Sequence, residues 1–203
     1  MPTALPLRDS TPYPWPYDVA IDPQRLALVV AGAQPAWADR SANAAIVTKH
    51  IECVAGVVRA VGGHVVFVRH VSRGERPSGL PPLASDPGAA LLPIREDGDV
   101  TVDAAGVNGF YGSALDDELR HLGADHLVLV GWGAEAAVDS TLRSANDRGY
   151  ECLVLTDAVA PFDVTVGEHA LSSVTMSGGI FGALASTEML LATLSELLIQ
   201  EPT

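Results

Sequence analysis

Apolar positions along this chain follow two different periods. An unbroken apolar run from Leu26 to Ala31 ends at Gly32 and predicts a strand buried on both faces. From Asn43 onward, Val47, Ile51, Val54, Val58 and Val61 recur at spacings of four and three, which marks one helix face, and Gly62-Gly63 supplies the stop. His64 to Arg69 predicts the second strand. Residues 70 to 98 carry five prolines and show no period, so they predict a long surface excursion with room for a helical turn near Ala89. Asp99 to Asp103 predicts a third, short strand, and Leu115, Leu119 and Leu122 one face of a short helix.

His126 to Val130 predicts the fourth strand and Gly131-Trp-Gly133 its turn, followed by a helix with Val138, Leu142 and Ala145 on its apolar face, ended by Gly149. Cys152 to Leu155 predicts a fifth strand, Ala170 and Val174 a helix, and Gly179 to Phe181 a sixth strand. Ser186 is placed to cap a last helix presenting Leu190, Leu194 and Leu197. Strand and helix alternate almost throughout, which predicts an α/β fold: a doubly wound, six-stranded parallel sheet with helices on both faces. Ligands in such folds sit outside the carboxyl ends of the strands. The loops that matter are then Gly32 to Trp37, Arg69 to Arg73, Ala104 to Tyr111, Gly131 to Ala137 and Asp157 to Phe162.

Residues 1 to 25 contain six prolines and read as an N-terminal arm, with residues 26 to 203 as one domain. The length of 203 residues suits that division. Hydrophobic residues make up 48% of the chain and charged residues 18%, as in a compact globule, while aromatics at 5% leave the core to Ala, Val and Leu. The net charge of −13 is spread along the chain with no basic stripe, which argues against nucleic acid or an anionic membrane as partner. No apolar run approaches a membrane span or a signal peptide's core, so the expectation is a cytoplasmic protein. Cys53 and Cys152 stand alone and read as small buried hydrophobes.

Gly131, Val138, Ser140-Thr141, Arg143, Ala145, Asn146-Asp-Arg-Gly-Tyr150 and Asp157-Ala158 together resemble the segment that follows the nucleophile in isochorismatase-like cysteine hydrolases. Pro12-Tyr-Pro-Trp-Pro-Tyr17 and Gly178-Gly-Ile-Phe-Gly182 are similar to parts of the biuret amidohydrolase branch. The resemblance implies an oligomer whose Asp, Lys and Cys meet at the strand ends, the Cys attacking an amide carbonyl while the Asp moves the proton. It also places those three positions on Gly32, Ala104 and Ala137, none of which carries a functional group. No Cys, Ser or Asp lies between Trp132 and Val138, and the chain's only lysine is Lys49 on the first helix.

Gln34, Trp37, Phe110, Tyr111, Trp132, Glu135 and Asp157 are the candidates for lining the crevice, with the four aromatics expected to line or plug it. Glu135 is expected to cap its own helix, with general acid or base as the competing reading. Asp157 is expected to hold a loop backbone. The histidines show no ligand spacing, and the Asp-x-His pattern of metal-dependent nicotinamidases is missing, so neither metal nor cofactor is expected. The reading that follows is a catalytically inactive homologue with a binding or assembly role, as a homo-oligomer or beside an active paralogue. Its rivals are an enzyme with relocated chemistry built on Glu135, Asp157, His70 or Tyr111, and a small-molecule sensor or carrier.

Overall fold

The computed structural model describes residues 5–17, 19–41, 43–71 and 90–200. The turn expected near Ala89 and most of the excursion lie outside the described residues. Six strands form one all-parallel sheet in the order β3-β2-β1-β4-β5-β6: β1 Leu26–Ala31, β2 His64–His70, β3 Val100–Ala104, β4 His126–Trp132, β5 Glu151–Ala160 and β6 Ala183–Ala185. The winding reverses between β1 and β4, so their carboxyl ends flank the switch point where such sheets open a crevice.

The central strands follow their composition. All of β1 and β4 is buried, as unbroken apolar runs covered on both faces require. The helices are α1 Pro35–Ala38, α2 Ala44–Ala60, α3 Leu115–His121, α4 Asp139–Asp147, α5 Val164–Val174, α6 Met176–Gly179 and α7 Thr187–Gln200. Along α2 the buried face is Val47, Ile51, Val54, Ala55 and Val58, the stripe its period marks. On α7, Leu190, Leu194 and Leu197 are buried, and Ser186 Oγ accepts from Met189 N at 3.3 Å.

Three expectations need correction. The sixth strand does not lie at Gly179 to Phe181: Ser177, Gly178 and Gly179 take positive φ and turn the chain, so extended pairing begins at Ala183. The fifth strand runs to Ala160, because the register with β4 jumps between Leu129/Val154 and Gly131/Val159 and the strand resumes beyond the irregularity. Cys53 is exposed on the outer side of α2, whereas Cys152 is buried as expected.

The Pro-rich arm is seated on its own domain. Leu7 and Trp15 are buried and bridge one another through backbone bonds of 2.6 and 3.2 Å. Thr11 pairs with Leu184 of β6 through bonds of 2.9 and 2.7 Å, closing that sheet edge. A Cβ at Gly179 would stand 2.6 Å from Tyr13 Cε1 and 2.9 Å from Pro12 Cγ, so only glycine lets the arm approach. The two segments 12–17 and 178–182, far apart in the chain, therefore meet.

Candidate active-site crevice

At the switch point, β1 ends in Gly32 with φ +69°. A Cβ there would stand 2.7 Å from the carbonyl oxygen of Trp132 and 2.8 Å from Trp37 Cε3. Trp37, on α1, is fully buried. Its ring lies on the His70 imidazole, with centroids 4.8 Å apart and planes at 19°, and tilts against Phe162 at 5.3 Å. Arg40 covers the far ring, its guanidinium carbon 4.7 Å from the Phe162 centroid. A Cβ at Gly133 would also meet the Trp37 ring, at 2.8 Å from Cζ3. His70, Trp37, Phe162 and Arg40 thus form a continuous stack over the strand ends.

Backbone bonds hold that stack in register. Gln34 is buried, its Nε2 donating to the His70 carbonyl at 2.9 Å while its Oε1 accepts from His70 N at 2.8 Å. The amide therefore ties the loop after β1 to the end of β2, and its hydrogen bonds are spent on the backbone. His70 Nδ1 lies 2.8 Å from the Gly106 carbonyl, which suits an Nδ1–H donor.

Ala104 ends β3 opposite His70, and Ala137 lies in a π-helical turn, Ala134–Val138; both are fully buried. Such turns concentrate at functional sites. Here its inward residues are Ala134, Ala137 and Val138, and none of the three can act as nucleophile or acid. Trp132 is fully buried at the end of β4, with Nε1 unpartnered.

The other candidates leave the crevice. Phe110 stacks on Tyr150 at 5.9 Å, beneath Arg148 at 4.6 Å, and Tyr111 is 65% exposed. Their loop is knit to α4, Gly109 N donating to Thr141 Oγ1 at 2.8 Å and Asn108 Nδ2 to Ser144 Oγ at 2.6 Å. Asp157 accepts from Thr187 N and Oγ1, both at 2.8 Å, and so anchors the start of α7. Glu135 does not cap its own helix: it accepts from Phe162 N at 2.9 Å and Asp163 N at 2.8 Å, bracing the start of α5. The ring packed at the switch point is therefore that of Trp37, with Trp132 buried at the end of β4, joined by His70 and Phe162. Both of these lie in loops the strand pattern marks, yet neither reads as a plug from its sequence neighbours.

Neither cysteine presents a thiol to the crevice. Burial, with a smaller contribution from Glu151, pushes the Cys152 thiol well above its usual value, and Cys53 faces outward from α2. Among the described residues, no group of three or more His, Cys, Asp or Glu could hold a metal ion, and no helix is long and apolar enough to cross a membrane.

Comparison with known proteins adds the following. The family description "Isochorismatase domain" matches residues 19–189. An isochorismatase family protein of Bacillus subtilis, YwoC, is 40% identical over 67 residues, covering 33% of this chain and 35% of its own. Ureidoacrylate amidohydrolase RutB of Variovorax paradoxus is 41% identical over 61 residues, 30% of this chain and 24% of its own. These two matches thus span about a third and a quarter of the relatives' lengths. The secreted isochorismatase effector Isc1 of Verticillium dahliae is 27% identical over 176 residues, 81% of this chain and 90% of its own. Among solved structures, a cysteine hydrolase from Pseudomonas syringae pv. phaseolicola superposes with a TM-score of 0.78 at 21% identity, covering 97% of this chain and 99% of that one. That likeness carries the fold.

Proposed function

Because the chain belongs to the isochorismatase family, we propose that it is a non-catalytic member whose former active-site crevice has been filled by its own side chains, leaving a binding or assembly role. The observation that carries this reading is Trp37, fully buried where any side chain on Gly32 would have to stand. The family resemblance puts the acid at that position, the lysine at Ala104 and the cysteine at Ala137. A carboxylate on Gly32 and the Trp37 ring exclude one another, so the plug and the acid are alternatives.

Removing one member of a cooperating triad already costs nearly as much rate as removing all, leaving roughly 10³–10⁴ over water in a serine protease. Loss of three leaves nothing to assemble. The rival with relocated chemistry finds little support: Glu135 is engaged by Phe162 and Asp163, Asp157 by Thr187, and Tyr111 faces outward. The partners this reading proposes are a second copy of the chain or an active amidohydrolase of the same fold.

The test is turnover. Purified protein is assayed on biuret, nicotinamide, carbamoyl amino acids, ureidoacrylate and isochorismate, and no hydrolysis above the buffer rate is expected. Turnover that persists through repeated purification and disappears in His70→Asn overturns the reading. Ala137→Cys alone is expected to restore nothing, since the thiol gains neither a proton acceptor nor a cation.

A further inference from the structure

The arm's seat lies at the opposite end of the sheet from the plug. Trp15, fully buried, meets the His126 ring edge-on, with centroids 5.8 Å apart and planes at 65°. His126 opens β4, in register with Leu26 of β1 and Glu151 of β5. Trp15 Nε1 and His126 Nδ1 are both buried without a hydrogen-bond partner. The interface is therefore apolar in character although a titratable ring forms its floor.

The charges around that ring come from three elements. Asp125, in the turn before β4, places Oδ1 3.8 Å from His126 Nε2, but the same carboxylate is bound by Arg25, at 2.9 and 2.5 Å. Arg25 and Asp22 belong to the turn before β1. Glu151 on β5 accepts from Tyr13 OH of the arm at 3.0 Å and from Tyr17 N at 3.3 Å. Burial is the largest influence and holds the imidazole below its usual value; Asp125 and Asp22 oppose it and Arg25 reinforces it. Burial thus favours the uncharged form of the ring.

We propose that residues 5–17 form a strap seated on a neutral His126, and that protonation of this histidine frees the strap from β6 while the sheet stays folded. The released state lets water reach the ring, so it takes up the proton more readily than the seated one. As pH falls below the ordinary histidine value of about 6.5, the equilibrium moves toward the released strap; above that value the seat is insensitive to pH. Release opens the β6 edge, because Leu184 loses both its bonds to Thr11. Residues 5–17 contribute no strand to the six-stranded sheet, so they can leave it without carrying a core strand with them.

The experiment is amide hydrogen exchange on the full chain between pH 8 and pH 5, expressed as protection factors to remove the intrinsic pH dependence. In the wild type, protection at Thr11 and Leu184 is expected to fall at least tenfold with a midpoint below 6.5, while Leu28 and Val128 in the sheet stay protected. His126→Phe, or His126→Gln should the first fail to fold, is expected to flatten the dependence. Trp15→Ala sets the reference for a strap that is free at every pH. The proposal is overturned by an arm that keeps its protection at pH 5, by a transition unchanged in the His126 variants, or by exchange in the sheet that rises together with the arm.

Discussion

At the carboxyl ends of the strands Trp37 lies between the rings of His70 and Phe162, whereas at the amino ends Trp15 lies against the single ring of His126. Both indoles are fully buried, so area alone does not separate them. Their place in the chain does. Trp37 is on α1, with β1 before it and α2 after it, and cannot leave without disturbing both. Trp15 sits on an arm that contributes no helix and no strand of the six-stranded sheet. The same side chain can therefore belong to the cooperative core in one place and to a separable unit in the other.

The sharpest way to break this comparison is to truncate each indole. Trp37→Ala is expected to lower global stability by about 3–5 kcal/mol, the usual cost of emptying a buried aromatic site. Trp15→Ala removes as much contact, but its global cost is capped by release of the arm, at about 2 kcal/mol or less. Urea unfolding of both variants measures this. Equal losses would mean that arm and sheet unfold as one unit.

A second contrast concerns Gly32. Alanine there must adopt a φ of +69° and meet both the Trp132 carbonyl and the Trp37 ring. The left-handed backbone costs about 1–2 kcal/mol and overpacking about 1–3 kcal/mol, so Gly32→Ala is expected to destabilise by about 2–5 kcal/mol. In a Trp37→Ala background the loss should shrink by about 1 kcal/mol, since the ring contact is gone while the carbonyl contact stays. Identical losses in the two backgrounds would show that Trp37 is not what closes that position.

Much of this architecture is legible in the chain because β1, β2 and β4 are continuous apolar runs and α2 has a clear period. The misplaced sixth strand has a local cause: none of Ala183, Leu184 and Ala185 is β-branched or aromatic, while Ile180-Phe181 looks more strand-like but follows a turn built by Ser177 to Gly179. Cys53 misleads because cysteine is usually buried, although its place between the α2 stripe positions Ile51 and Val54 leaves it outward. At the site, Trp37 and Trp132 are legible from the loops they occupy. Phe110 and Tyr111 are not, because their direction depends on bonds from their loop to Thr141 and Ser144 on α4, a contact between segments more than thirty positions apart. The stack of His70 and Phe162 on Trp37 depends likewise on how three separate strand ends are brought together.

Glu135 gives the smallest expected effect and the finest test of the plug. Its carboxylate accepts from the amides of Phe162 and Asp163, and Phe162 is the residue that tilts against Trp37. The side chain thus acts on the stack through the loop before α5. Glu135→Gln keeps one oxygen acceptor but loses the charge that favours a helix start, a loss of about 0.3–1 kcal/mol. Glu135→Ala leaves the two amide donors to find water or remain unmet, and is expected to cost about 1–3 kcal/mol. The loop is partly exposed, so the lower part of that range applies. The comparison is read by unfolding for the energies and by near-ultraviolet circular dichroism for the Trp37 environment: Gln should leave the signal unchanged and Ala should weaken it. A loss well above 3 kcal/mol in Glu135→Gln, with the aromatic signal intact, would mean that the charge itself has a task that bracing the loop does not explain.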